Sequence, residues 1–103
     1  KRADIIGRAR EIATPFDALL MPTCATVAPA IAPLDNDEDA YGKANILMLR
    51  NTTVGNFLDT CALSIPCHAP GTGPVGLMVM AANRHDEWLA RIGLSIERAL
   101  NRG

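Results

Sequence analysis

Between Ser64 and Met80 the sequence reads SIPCHAPGTGPVGLMVM. Two uncharged apolar runs, one closed by Pro66 and the other opened by Pro74, flank Gly71-Thr72-Gly73. A glycine pair so placed either cradles an anion or turns the chain, and the two options imply different folds. A phosphate loop joins a strand to a helix N-terminus, so that the helix amides point at the anion. Here the loop joins one strand-like run to another, and no Lys or Ser/Thr follows at the required spacing. The link from His68 to Pro74 has hairpin length. The prolines bracket the ladder where a missing N–H does least harm. The expectation is an antiparallel hairpin over Ser64–Ala81 turning through Gly71–Gly73, in a mixed sheet with a strand at Ala18–Met21. The glycine loop turns the chain.

The remaining segments follow from periodicity. ADIIGRAREIA sets Ile5, Ile6, Ala9, Ile12 and Ala13 on one helical face, and Thr14-Pro15 ends it. DALLMP, closed by Pro22, has the pattern of a buried strand. From Thr23 to Gly42 the chain reads as a long irregular loop whose acids, Asp35 to Asp39, form a solvated tip. A helix is expected from Tyr41, with Ala44, Leu47, Met48 and Asn51 on one side and a looser second half at Thr52–Gly55. CALSIP and PVGLMVMA are the hairpin strands. The last segment, from Asn83, is the clearest helix, with Asn83 and Asp86 as a capping pair and Gly103 as its stop. Its buried stripe is Trp88, Leu89, Ile92, Ile96, Ala99 and Leu100. The order is α-β-α-β-β-α, a partial mixed sheet with flanking helices, in one unit over residues 1–103.

Composition bounds the class. A chain of 103 residues is one small domain at most, and 49% hydrophobic with 20% charged residues describes a folded globular chain. Net charge is -1 and no basic stripe occurs, so no nucleic-acid partner is expected. No apolar run approaches the ~18 residues of a membrane span, and the charged start lacks a signal-peptide core. Neither a membrane partner nor a cofactor is expected, and the expected location is the cytoplasm.

Local chemistry is sparse. Cys24, Cys61 and Cys67 form no metal-ligand spacing and read as reduced thiols packed as small hydrophobes. The Asn-Asp-Glu-Asp run lacks the alternation and glycine of a calcium loop. Ser64 reads as a residue inside a buried strand, since ALSIP presents no nucleophile elbow. Lys1 and Lys43 are the lysines, and neither has a serine neighbour. No self-contained active site is legible.

Three segments taken in order are more specific than any one. FDALLMPTCATVAPAI, RNTTVGNFLDTCALSIPC and GPVGLMVMAANRHDEWLARIGLSIE resemble the C-terminal portion of the amidase signature family. The matching positions are Asp17, Pro22 and Thr23, then Asn56 and Ala62 to Pro66, then Pro74 to Leu77 and Asp86. Cys24-Ala25 and Gly73 depart from that pattern. The resemblance implies a wider α/β/α fold in a longer protein, and hydrolysis of a C–N amide bond by an upstream Ser, cis-Ser, Lys triad. No catalytic residue carries over to this chain. The resemblance implies a substrate-pocket wall made by Pro22–Ala28 and Arg50–Asn56, with Thr23, Cys24, Arg50 and Asn56 toward a small amide substrate.

An opening helix without a preceding cap reads as a piece cut from something longer. An inert interaction or structural module derived from an amidase is the alternative, and a small cysteine hydrolase using Cys67 or Cys61 a third. The three strands carry almost no charge to blunt an exposed edge, so self-association of the isolated chain is expected.

Overall fold

The computed structural model describes residues 1–101. Its elements are α1 (Arg2–Ala13), β1 (Leu19–Pro22), α2 (Ala32–Asp35), α3 (Glu38–Phe57), β2 (Thr60–Pro66), β3 (Gly76–Ala82) and α4 (Asp86–Leu100). The three strands form one sheet in the order β1-β3-β2. β2 pairs antiparallel with β3 from Thr60↔Ala82 to Pro66↔Gly76, and β1 pairs antiparallel with β3 from Leu19↔Met80 to Pro22↔Leu77. Any parallel pair of the expected mixed sheet would therefore involve strands other than these three.

The hairpin forms as its local sequence dictates. Cys67 N–H donates to the Val75 carbonyl (3.1 Å) beyond the last strand pair. The tip folds through Ala69–Thr72, with both the amide and the hydroxyl of Thr72 donating to the Ala69 carbonyl. Gly71 lies at φ +82°, in the left-handed region that glycine enters without Cβ strain. A strand, not a helix, follows the glycines.

The sheet carries a helix on each face. Ile65 and Val79 pack with Leu89 of α4 on one side, joined by Leu63, Leu77, Ile92 and Ile96. Gly93 lets α4 approach closely, since a Cβ there would come within 2.9 Å of Leu63 Cδ1. On the other face Met78 and Met80 are buried, and Gly55 of α3 faces Met80, whose Sδ would lie 3.5 Å from an added Cβ.

Several expectations are corrected. α3 starts at Glu38 rather than Tyr41, because the acidic run is a helix start and not a loop tip. Asp37 is its N-cap, accepting from Ala40 N–H (3.0 Å), and Glu38 and Asp39 face the positive end of the helix dipole. The preceding loop also contains α2, with a proline in its first turn. The second half of α3 holds through Phe57, where Thr52 and Thr53 direct their hydroxyls to the Leu49 carbonyl. Asn83 does not cap α4; its amide donates to Asp59 Oδ2 (2.6 Å), and His85 occupies the cap position without a side-chain bond. Gly103 and Arg102 lie outside the described residues.

Burial differs most. Trp88, placed in the α4 stripe, is 47% exposed, although its indole N–H donates to the Asp17 carbonyl (3.1 Å). Ala99 and Leu100 are exposed, as are Ile5 and Ile12 of α1, Leu20 of β1 and Ser64 of β2. Leu20 and Ser64 belong to the outer strands of the sheet, Leu20 on the α4 face beside Val79 and Ser64 on the α3 face beside Met78, where the helices cover central β3 more fully than its neighbours. Cys67 is likewise exposed rather than packed. The accessible surface is 7676 Å2, against about 5,600 Å2 for a compact 11.0 kDa protein. The radius of gyration is 15.9 Å, where about 13 Å is usual for this length. The chain is a flat layer, 45 × 42 × 18 Å.

Candidate functional site

β1 ends at Pro22, and Thr23 extends its ladder by donating its N–H to the Gly76 carbonyl (2.9 Å). The Thr23 side chain crosses above Gly76 to meet Ser64 of β2, the two hydroxyls sharing a hydrogen bond. Only a glycine leaves room for that pair. A Cβ at position 76 would collide with Ser64 Oγ and lie 2.9 Å from Thr23 Oγ1.

Asn51 closes the site from α3. It is the buried polar side chain of the core, 6% exposed, and its amide donates to the Pro22 carbonyl (2.9 Å). Its Oδ1 accepts from Arg50 Nε (3.3 Å), which leaves the rest of the exposed guanidinium free to face solvent. Cys24, half-buried and unpaired, follows Thr23. Thr23, Cys24 and Arg50 therefore gather at the end of β1, through Asn51 as the joint. Asn56 does not join them. It lies five residues beyond Asn51, about 7.5 Å further along the helix axis. There its carbonyl accepts from Arg2 of α1 (3.0 Å).

Asn51 was legible only as a member of the inward face of α3. A polar residue on such a face is the signal that a carbonyl waits opposite. Chemically, the site offers two hydroxyls, an amide and a guanidinium, which bind and orient. Among the described residues the Ser64 hydroxyl is hydrogen-bonded to that of Thr23 and to no general base. Among the described residues no group of three His, Cys, Asp or Glu side chains could hold a metal ion. None of the described helices is long and apolar enough to cross a membrane.

A cavity of about 390 Å3 lies elsewhere, between α1 and the sheet, lined by Ile6, Ala9, Phe16, Leu19, Met80 and Trp88 among others. It exists because α1 stands off the sheet. Arg2 ties the helix to the Asn56 and Phe57 carbonyls and lies over the Phe57 ring, and Arg10 pairs with Asp59 at 3.7 Å. Nearby, Cys61 points its thiol at the Ala82 carbonyl (3.3 Å). Burial, and then the hydrogen bond and negative charge of Asp86, push this thiol above its ordinary pKa, which suppresses the nucleophilic thiolate.

The antiparallel hairpin, the Pro-Thr corner ending β1 and the Asn-bearing helix that braces it define a layer of the α/β class. A family profile described as Amidase matches residues 1–89, and the chain belongs to the amidase family. It is 35% identical over 88 residues to 2-amino-5-chloromuconic acid deaminase of Comamonas testosteroni, covering 84% of this chain and 19% of that protein. It is 33% identical over 85 residues to a glutamyl-tRNA(Gln) amidotransferase subunit of Streptomyces coelicolor, covering 81% of this chain and 16% of that protein. The chain thus spans less than a fifth of the length of either relative. No solved structure matches it with significance.

Proposed function

We propose that this chain serves as the C-terminal portion of an amidase domain in a longer protein that hydrolyses an amide C–N bond. The nucleophile, its cis-Ser and Lys partners and the oxyanion hole come from segments preceding this one. The chain contributes sheet core and one wall of the substrate pocket. The observation that carries this reading is the family match along 1–89, together with the small share of each relative that the chain spans. The size of its uncovered surface supports the same reading.

In this reading the wall is the Pro22–Cys24 corner with Arg50 beside it. Asn51 fixes the corner by bonding the Pro22 carbonyl, and Arg50 supplies the positive charge. Arg50 is the only Lys or Arg between Lys43 and Arg84, so a substrate with negative charge near its amide is the natural match. One relative is named for a carboxylic acid substrate, which agrees with that charge. Asn56 belongs to this wall only if the surrounding domain brings the end of α3 toward the substrate.

The test is kinetic, on the full-length protein. Arg50→Ala is expected to raise KM or lower kcat/KM for an acid-bearing amide by about tenfold, the loss of one charge-assisted hydrogen bond. Unchanged kinetics with every accepted substrate would remove Arg50 from the pocket. Absence of amide hydrolysis by the full-length protein would overturn the amidase reading itself.

A further inference from the structure

Arg50 is an exposed cation with one of its donors already committed. Its Nε–H donates to Asn51 Oδ1 (3.3 Å), and the Asn51 amide donates in turn to the Pro22 carbonyl (2.9 Å). Asn51 is 6% exposed, so this amide is held in the packed joint between α3 and the end of β1. A guanidinium grips a carboxylate with two parallel N–H groups, either Nε and one Nη or the two Nη. Here the Nε side is taken. The Nη pair is the open fork.

The charge of that fork is also left uncancelled. Asp59, the acid that follows α3, accepts from Asn83 and pairs with Arg10. Arg50 makes no ion pair among the described residues. The joint itself is neutral by its chemistry. A carboxamide donates to a carbonyl and accepts from a guanidinium while carrying no charge. An Asp at position 51 would accept from Arg50, but it would cancel the charge and set an oxygen against the Pro22 carbonyl. A Leu would leave both Nε and that carbonyl without this partner.

We propose that Asn51 is a positioning residue for substrate selection, an inference that rests on reading Arg50 and the Pro22–Cys24 corner as a pocket wall. By holding Nε, Asn51 aims the Nη pair of Arg50 end-on at the carboxylate of an acid-bearing amide. By staying neutral, it leaves the full positive charge to that carboxylate. Asn51 touches no substrate itself. It acts through Arg50, and its bond to the Pro22 carbonyl ties the direction of the fork to the position of the corner. Selection of the acid then depends on a planar fork of fixed direction, and a point charge at the same place does not replace it.

The test is made on the full-length protein with two amides, one bearing a carboxylate and the other a hydroxymethyl group in its place. The ratio of their kcat/KM values reads the carboxylate contact, which a merely structural role of Asn51 would not move. Asn51→Asp should lower this ratio at least about tenfold, through KM for the acid. Arg50→Lys should restore only part of the ratio lost in Arg50→Ala, because an ammonium keeps the charge without the fork. If circular dichroism shows that Asn51→Asp does not fold, Arg50→Lys, at an exposed position, decides. An unchanged ratio in folded Asn51→Asp, or in Arg50→Lys, would overturn the proposal and leave the amidase reading intact. An unchanged ratio in Arg50→Ala would remove Arg50 from the pocket and this role of Asn51 with it. Absence of hydrolysis of any amide would overturn both readings together.

Discussion

Gly76 lies beneath the hydroxyls of Thr23 and Ser64, so the corner that ends β1 depends on one absent methyl group. Gly76→Ala should cost about 1–3 kcal/mol, because the Cβ drives the two hydroxyls apart and breaks their bond. Adding Ser64→Ala, which removes the atom the new Cβ strikes, should recover part of that loss; urea denaturation of the single and double variants checks both. Cys61 makes a second residue-scale prediction. Its thiol pKa is raised in the folded chain, first by burial and then by Asp86, so the folded state holds its proton more tightly than the unfolded state does. The resulting stability is complete below the ordinary thiol range and is lost as pH rises through the raised folded value. Denaturation midpoints should fall on that alkaline limb, and Cys61→Ala should flatten it. A limb of equal slope in the variant would assign the loss to other groups.

The elements differ in how firmly they are held. α3 begins on a side-chain cap, and Asp37→Ala should lower stability by about 0.5–2 kcal/mol, as read from the urea midpoint. α1 has no buried residue and is fastened chiefly by Arg2 and Arg10. The Arg10–Asp59 pair is half-exposed on both sides, which limits it to about 0–1 kcal/mol. A helix of 12 residues is marginal without packing. Amides of α1 should therefore exchange with deuterium well before those of β3 and α4, and Arg2→Ala should widen the gap. Protection of α1 equal to that of β3 would mean that the cavity beside it closes in solution.

Over the whole molecule, surface decides behaviour. A chain of this mass ordinarily removes about 10,000 Å2 from water on folding, and this one removes about a fifth less. Its urea m-value, measured at a dilution where the chain is monomeric, should be lower than usual for 103 residues in the same proportion. A full-sized m-value would show that the flat layer collapses further in solution. The same surplus makes this layer suited to a wider sheet, as the amidase family membership implies.

What the sequence determined by itself are the features written in neighbouring residues. The hairpin was legible because Pro66, Pro74 and the glycines between them act within a few residues, and α4 because its apolar period faces one sheet. The cap at Asp37 is equally local. It was obscured because capping acids and a solvated acidic loop have the same composition, and only the Ala40 amide distinguishes them. Tertiary structure alone decided how far each covering helix reaches: Ser64 and Leu20 sit in strands with buried-strand patterns and share faces with buried Met78 and Val79, yet they stay exposed because they lie on the outer strands. It also decided the site. Asn51 meets the Pro22 carbonyl across 29 residues, and Asn83 meets Asp59 across 24. Bonds of that kind exist only after the strands have paired and α3 has docked. A side chain's type restricts its partners, but only the packed chain brings one of them within hydrogen-bond reach.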